Sequence, residues 1–507
     1  MNNALLTSLS ACEVLRAFAD KVLTPTDYLT ACLEQIEKIN PKINALTDMA
    51  VEDAILEAAQ SSKRWQLGTP KGPLDGLPIG VKDLQDAKGL LTTHGSPRLR
   101  SNVSSNDLPM VAKLRKAGAI IVAKTNVPEL GAGGNSRNPV WGATGNPFNP
   151  NLIAGGSSGG SAAALAAHFF PLCTGSDTGG SLRLPAALCG IVGYRPSVDV
   201  VAHPTRPLGW SGISVLGPMA RTVEDILLML QVNQGYDEND PLSAPAAPDR
   251  FSNLPKIELK NLRIGYSEDF GGTPVAPEIR ETFHKRLEAI KPRAAICHAV
   301  DLNLGNMDRV FDILRAESFH VAFAQGIIDT PEFFGDNIKT NVALAESFTL
   351  ADRGWAHVEQ TKILRKYNAL MQDFDIILLP TVPVSPFTWT QSHPTHIDQQ
   401  PMDIYYRWLA LTYRGSLLNG PSITIPTGLD SLGMPFGLQI LGAVRSDEKL
   451  LAAASSIEAF LAKTPETARP IPDFTTMQDS DIDLKSIVTH PPIFNSSDSS
   501  TAVKTAV

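Results

Sequence analysis

The segment GSDTGGSLRLP at residues 175–185 places two adjacent glycines directly before Ser181, a pattern suited to nucleophilic chemistry. Glycines let the backbone approach a ligand closely, and successive N–H groups can converge on an anion. Four N–H groups are therefore expected to surround the oxygen of a carbonyl under attack: those of Thr178, Gly179, Gly180 and Ser181. The segment predicts a serine nucleophile beside an oxyanion hole.

A second segment, IAGGSSGGSAAALAA at residues 153–167, is also rich in glycine and serine. An isolated run of this kind is more often a tight turn or a flexible linker. Here the two segments flank the apolar run LAAHFFPLC, so we interpret the region as a site. The sequence GGSSG also fits G-x-S-x-G, which would make Ser157 or Ser158 the nucleophile of a hydrolase elbow. That template needs a strand before the serine, whereas the preceding NPFNPNLIAG is typical of a loop.

A serine nucleophile needs a base, and the nearest histidine in the sequence, His168, lies outside the motif. Lys82 ends the apolar run LPIGVK (77–82) and is the alternative. Most lysines are exposed or extend their amine to solvent. If Lys82 is buried, its ammonium form is disfavoured and its pKa falls, as a general base requires.

Strands and helices that alternate along the chain position these residues. Short β-type runs occur at 77–82, 119–125, 262–267, 375–381, 422–427 and 436–442, separated by segments of helix length. At the amino terminus, Ser10 and Glu13 form a predicted capping box, and Thr24-Pro25 begins a second helix. This order predicts an α/β protein whose sheet is covered by helices on both faces.

The chain of 507 residues is predicted to form a single domain over residues 1–475. Its predicted parts are N-terminal helices (1–70), a motif-bearing core (71–230), two surface connections (235–261 and 391–403) and a disordered tail (476–507).

The composition argues against several classes of protein, namely nucleic-acid-binding, disulfide-rich, zinc-binding and membrane-spanning proteins. A net charge of −8 argues against a nucleic-acid or anionic-membrane surface. Five scattered cysteines form neither a disulfide framework nor a zinc motif. The first residues lack the pattern of a signal peptide, and no apolar run is long enough to span a membrane, so we expect a cytoplasmic protein.

Three motifs taken together resemble the amidase signature family. They are GVKD around Lys82, GGSSGGSAAA around Ser157 and SDTGGSLRLPAALCGIVGYRP around Ser181, with the three residues 75 and 24 positions apart. Further similar stretches are AKTNVPEL, WGATGNPFN, GPMARTVED, ILLPTVPVSPF and GMPFGLQILG. The resemblance covers most of residues 8–465 and implies the family's fold, a large, mixed and mostly parallel sheet with helices on both faces.

The resemblance also implies roles for individual residues. Ser181 is the expected nucleophile, Ser157 follows a cis bond after Gly156 and relays the proton, and Lys82 is the final base. Backbone N–H groups of residues 178–181 form the expected oxyanion hole, and no metal or cofactor is implied. Two further residues, Asp177 and Arg183, are expected to brace the loop. Ser158 either positions Ser181 or caps the following helix, and we favour the cap.

The implied activity is hydrolysis of a small carboxamide or an aryl or acyl amide, as in stand-alone bacterial amidases. The family also contains the A-type subunit of a glutamine-dependent tRNA amidotransferase, but residues 341–370 lack the arginine- and tyrosine-rich stretch that we associate with glutamine recognition. Carbamates, ureas or esters could follow the same acyl-enzyme route, and a non-catalytic scaffold is the remaining alternative. We expect a small-molecule substrate and no nucleic-acid or membrane partner, with a homodimer as the candidate oligomeric state.

Five aromatic residues could line an acyl pocket: Trp141, Trp210, Tyr405, Tyr406 and Trp408. Aromatic residues at such places are more often part of the core. The sequence leaves both interpretations open.

Overall fold

The computed structural model describes residues 3–494, and an eleven-stranded sheet forms its centre. The strands are β1 (Leu46–Met49), β2 (Pro78–Lys82), β3 (Ile120–Thr125), β4 (Leu172–Asp177), β5 (Val192–Arg195), β6 (Val215–Ala220), β7 (Arg263–Tyr266), β8 (Ile296–Ala299), β9 (Ile376–Pro380), β10 (Ser422–Leu429) and β11 (Pro435–Leu441). Short paired segments outside the sheet are Arg137–Asn138 with Gly142–Ala143, Gly145–Asn146 with Asn149–Ile153, and His396–Ile397 with Gln400–Pro401.

The α-helices alternate with these strands along the chain. They are α1 (Asn3–Ser8), α2 (Ala11–Ala19), α3 (Pro25–Ile43), α4 (Val51–Leu67), α5 (Pro109–Lys116), α6 (Gly159–Ala166), α7 (Arg183–Cys189), α8 (Val223–Asn233), α9 (Pro277–Ile290), α10 (Met307–Asp329), α11 (Asp336–Glu346), α12 (Leu350–Leu370), α13 (Ala410–Ser416) and α14 (Asp447–Leu461). Within residues 3–494, none of them has both the length and the apolar composition needed to cross a bilayer.

Neighbouring strands follow the order β1-β3-β2-β4-β6-β5-β10-β11-β9-β7-β8. The predicted α/β class and mixed sheet are confirmed, but the prediction of a mostly parallel sheet is wrong. The pairs β3–β2, β2–β4, β9–β7 and β7–β8 are parallel, and the other six pairs are antiparallel. Between β10 and β11 the chain offers only a short turn, which permits antiparallel pairing alone because parallel pairing needs a long crossover.

Local sequence signals explain where the elements begin. All six predicted β-type runs coincide with strands of the sheet. The predicted capping box is confirmed, since Ser10 accepts the Glu13 N–H and the Glu13 carboxylate accepts the Ser10 N–H. The second helix begins at Pro25, as predicted, and Thr24 caps it. Propensity and capping therefore suffice to locate these elements.

The carboxyl-terminal segment differs from the prediction of disorder after residue 475. Residues 476–494 are described and pack on the body, with Met477 and Leu484 buried. The carbonyl of Leu484 accepts the N–H of Ala143 at 2.7 Å, and Ser480 Oγ accepts the indole N–H of Trp389 at 3.1 Å. Tertiary contacts order a stretch whose composition alone is typical of disorder. The rest of the predicted tail, 495–507, lies outside the described residues.

The parallel part of the sheet positions the candidate site. Strand β2 lies between β3 and β4 and is parallel to both. Lys82 is the last residue of β2, and Asp177 is the last residue of β4. Because the carboxyl ends of parallel strands meet at one edge, this topology brings Lys82 to the loop that contains Ser181.

Candidate active site

Lys82 is fully buried, and its amine is surrounded by serine hydroxyl groups. Its Nζ lies 2.8 Å from Ser157 Oγ, 2.8 Å from Ser158 Oγ and 2.9 Å from Ser176 Oγ. A backbone acceptor, the Ser176 carbonyl, lies 3.4 Å away. Within the described part of the chain the amine forms no ion pair, so only neutral groups touch it.

The electrostatic setting of Lys82 differs from that of a surface lysine. Burial lowers its pKa to about 7, and the Asp177 carboxylate opposes this shift. Removal of an ammonium group from water costs far more than removal of an amine, so burial favours the uncharged form. The Lys82 amine is thus poised to exchange a proton at neutral pH.

Ser157 follows the first two glycines of the glycine-rich segment, and the expected cis Gly156–Ser157 bond is present. The backbone at Gly156 is packed tightly, because a Cβ there would lie 2.8 Å from the Gly133 carbonyl oxygen. Directly after Ser158 the chain enters α6, every residue of which is buried. Dense packing on both sides therefore fixes the position of the Ser157 hydroxyl.

The position of Ser158 contradicts the expectation that its side chain caps the following helix. It occupies the N-cap position of α6, but its side chain makes no capping hydrogen bond. The Gly160 N–H, which an N-cap side chain could accept, donates instead to the Asn126 carbonyl at 3.0 Å. The Ser158 hydroxyl is free to accept from Lys82, so it belongs to the amine's surroundings rather than to the helix end.

Ser176 was missed in the sequence, although a signal for it was present. Side chains two apart on a strand lie on the same face of the sheet, so Thr174 and Ser176 on β4 share the face opposite to that of Asp177. Thr174 Oγ1 accepts the Lys82 N–H at 3.0 Å, while Ser176 Oγ accepts from the Lys82 amine. Alternation along β4 would have grouped Ser176 with Thr174 on one face of the strand.

The loop after β4 is held by a buried cluster of charges. Asp177 receives two hydrogen bonds from Arg183, both at 3.0 Å, as the sequence predicted. A second cation, Arg195, donates to the same carboxylate at 3.2 Å and was not foreseen. Burial opposes ionisation, but the two guanidinium groups hold the pKa of Asp177 well below its usual range. The loop is therefore anchored by a permanent carboxylate.

The conformation of the loop changes the expected set of oxyanion donors. The Gly180 N–H donates to Asp177 Oδ1 at 2.9 Å and is engaged within the loop itself. Gly180 has φ +118°, and a Cβ there would lie 2.2 Å from Thr412 Oγ1, so no other residue fits. In this conformation the assignment of Gly180 as a donor is wrong, which leaves Thr178, Gly179 and Ser181 as the remaining expected donors.

Ser181 lines a cavity of about 180 Å³ together with Ser157, Ser176 and Thr178. The hydroxyl of Ser181 makes no hydrogen bond to any described residue. Ser157 and Ser181 are therefore not hydrogen-bonded to each other in this structure. Hydrogen bonds between catalytic groups are often long until substrate binds. The structure thus joins Lys82 to Ser157 directly and brings Ser181 to the same cavity.

The five aromatic residues do not line this cavity. Trp210 is 82% exposed, whereas Tyr406 and Trp408 are buried in the core. The indole N–H of Trp141 donates to Thr93 Oγ1 at 2.8 Å, and Tyr405 lines a separate cleft of about 700 Å³. The apolar wall of the cavity consists of other side chains, namely Leu84, Leu108, Leu130, Leu216 and Phe319.

Residues 27–451 match the profile of the family described as Amidase. The chain belongs to the amidase family. An acylamidase of Rhodococcus erythropolis is 33% identical over 460 residues, which cover 89% of this chain and 95% of that protein. The A-type subunit of the glutamyl-tRNA(Gln) amidotransferase of Alkaliphilus metalliredigens is 31% identical over 480 residues, with 89% and 96% covered.

Solved structures of the family agree with the fold. A bacterial aryl acylamidase among the amidase signature enzymes matches this amidase-family chain with a TM-score of 0.82 and 27% identity, covering 90% of this chain and 96% of the other. An inhibitor-bound structure concerned with the origins of an s-triazine catabolic enzyme has the same TM-score and identity, with 91% and 99% covered. The predicted resemblance to amidase signature enzymes is confirmed.

Proposed function

We propose that this protein hydrolyses the C–N bond of a small carboxamide or of an aryl or acyl amide through an acyl-Ser181 intermediate. The observation that carries the proposal is the Lys82 amine, fully buried, without an ion-pair partner among the described residues, and 2.8 Å from Ser157 Oγ. The resemblance to acylamidases in sequence and in fold supports the same reaction class.

In the acylation step, Ser181 Oγ attacks the amide carbonyl carbon while its proton passes to Ser157 Oγ. Ser157 in turn gives its own proton to Lys82 Nζ, so the base is charged at the end of the relay. The N–H groups of Thr178, Gly179 and Ser181 receive the oxyanion. The C–N bond then breaks as the proton returns by the same path to the leaving nitrogen.

In the deacylation step, a water molecule attacks the acyl-Ser181 ester and loses its proton through Ser157 to Lys82. The Ser181–acyl bond breaks, the proton returns to Ser181 Oγ, and the carboxylic acid leaves. Serine hydroxyls can both donate and accept hydrogen bonds. The hydroxyls around Lys82 therefore suit its amine as well as its ammonium form, which a base that cycles between the two requires.

Labelling with a serine-directed fluorophosphonate tests the nucleophile directly. We expect one adduct per chain, located at Ser181 by mass spectrometry and absent in Ser181→Ala. A panel of primary amides, anilides, carbamates, ureas and esters then ranks the substrate classes. A folded protein that takes no label and cleaves none of them would contradict the proposal and favour a scaffold.

A second candidate is the role of the A-type component of a tRNA amidotransferase, because several relatives of that kind are 30–33% identical to this chain. This role predicts glutaminase activity and a partner protein that co-purifies with the chain. Amide hydrolysis by the isolated protein, without a glutamine preference, would decide against it.

A further inference from the structure

The cavity beside Ser181 contains one strong cation and no acidic side chain. Its lining includes Arg315 and His203, but none of its residues is aspartate or glutamate. Burial, with Arg206 nearby, lowers the pKa of His203 to about 3, so this imidazole is neutral at physiological pH. The guanidinium of Arg315 therefore gives the cavity a positive charge, and no carboxylate in the cavity lining opposes it.

The side chain of Arg315 is held firmly although it lacks an ion pair among the described residues. It is only 7% exposed, and its Nε donates to Asn341 Oδ1 at 3.1 Å while Nη2 donates to the Tyr405 hydroxyl at 2.7 Å. Its Cζ lies 4.5 Å from the ring centroid of Phe319. Two neutral acceptors and an aromatic face fix the group but do not neutralise its charge.

Acidic residues on the same helix, α10, form ion pairs with other arginines and not with Arg315. Asp308 pairs with Arg414 at 2.8 Å, Asp312 pairs with Arg407 at 2.8 Å, and Glu317 pairs with Arg353 at 2.5 Å. Within residues 3–494, Arg315 has no ion pair, and its Nη1 has no hydrogen-bond partner. A buried charge without a counterion is costly, so a guanidinium group at this position suits a ligand that supplies the opposite charge.

We propose that Arg315 binds an anionic group of the substrate, so that the preferred substrates are small amides that carry a carboxylate. This inference rests on the proposed function of the Ser181 cavity and narrows its substrate class. A volume of about 180 Å³ lies below the range of about 300–1,000 Å³ usual for pockets of drug-sized ligands, which favours a compact molecule. A substrate ammonium group would meet the Arg315 charge and bind poorly.

Succinate binding, measured by calorimetry, tests the anion site without any need for turnover. Succinate is expected to bind the wild-type protein and to slow fluorophosphonate labelling of Ser181. In Arg315→Gln the affinity should fall at least about tenfold, because a charge-assisted hydrogen bond is lost. Arg286→Gln is the matched control, since Arg286 is also 7% exposed but donates to the carbonyls of Thr427 and Leu429, and it should bind succinate normally.

The amide pair succinamate and succinamide tests specificity, because the two differ only in carboxylate against carboxamide. Wild type should favour succinamate in kcat/KM by at least about tenfold, and Arg315→Gln should bring the ratio toward one. If Arg315→Gln does not fold, Arg315→Lys keeps a charge but loses the planar fork, and a severalfold loss of succinate affinity is then expected.

The outcomes separate the two proposals. Labelling of Ser181 without succinate binding, or a wild-type preference for succinamide, would overturn the role of Arg315 while hydrolysis stands. Succinate binding that needs Arg315, without any labelling of Ser181, would overturn the hydrolase proposal and keep the anion site. A purely structural Arg315 predicts an unchanged succinamate-to-succinamide ratio in folded Arg315→Gln.

Discussion

Two buried lysines, Lys82 and Lys124, lie on neighbouring parallel strands, and their surroundings differ in one decisive respect. Both side chains are fully buried. Lys124 lies 3.6 Å from Asp83 Oδ1 and donates to Thr92 Oγ1 and to the Gln85 carbonyl. Lys82 has serine hydroxyls in place of the carboxylate. Of the two, Lys124 is part of an ion pair, and Lys82 has no counterion among the described residues.

The comparison shows that two equally buried lysines differ in role because their partners differ. Burial lowers the pKa of both lysines, but for Lys124 the Asp83 carboxylate opposes the shift at contact distance. Burial also raises the pKa of Asp83 to about 6, and Lys124 works against that change. Removal of one member of a buried ion pair leaves the other charge without a partner and is costly, whereas an amine without a counterion is available for proton transfer.

The largest expected effect comes from Lys82→Met, which removes the amine but keeps much of the side-chain volume. Acyl transfer to Ser181 should fall at least about 10³-fold at neutral pH, because the relay loses its base. Stability in urea should stay equal or rise, since an amine that is buried without a counterion is removed. Turnover within tenfold of wild type would contradict the assignment of Lys82 as the base.

The matched change, Lys124→Met, should act on stability instead. It leaves the Asp83 carboxylate buried without its cation, so the free energy of unfolding should fall by about 3–5 kcal/mol. Urea unfolding followed by circular dichroism measures this loss, and Asp83→Asn added to Lys124→Met should recover part of it. Equal stability of Lys124→Met and Lys82→Met would show that the two lysines are not distinguished by their partners.

The pH dependence of hydrolysis should show the titration of Lys82. A general base acts only in its deprotonated form, so kcat/KM should rise about tenfold per pH unit below about 7 and level off above it. Initial rates between pH 5 and 9, with circular dichroism to show that the fold persists, provide the test. A flat profile between pH 5 and 9 would exclude Lys82 as the titrating base.

The smallest effect is expected for Ser158→Ala, which removes one of the hydroxyls around the amine. Ser158 is a positioning residue, so kcat/KM should fall by about tenfold, while Ser157→Ala should cost at least about a hundredfold. The pH at half-maximal rate should also shift in Ser158→Ala, which a helix cap would not produce. Equal losses in the two variants would mean that Ser158 shares the relay.

Much of the site was accessible from the sequence because its motifs are local. The glycine–serine segments and the strand that ends at Lys82 each lie within about fifteen residues, and local turn and strand chemistry accounts for them. The pairing of Asp177 with Arg183 spans six residues and was foreseen. The second partner of Asp177, Arg195, lies on β5, which β6 separates from β4 in the sheet, and the sequence did not predict it.

The amino-acid sequence by itself determined the α/β class, six of the eleven strands of the sheet, the family and the pairing of Lys82 with Ser157. Only the tertiary structure decided that Ser158 faces the amine rather than the helix, that residues 476–494 pack on the body, and that Arg315 enters the Ser181 cavity. The physical reason is the distance along the chain over which each kind of interaction acts. Propensity and capping act between near neighbours, whereas burial and charge pairing depend on distant segments brought together by packing.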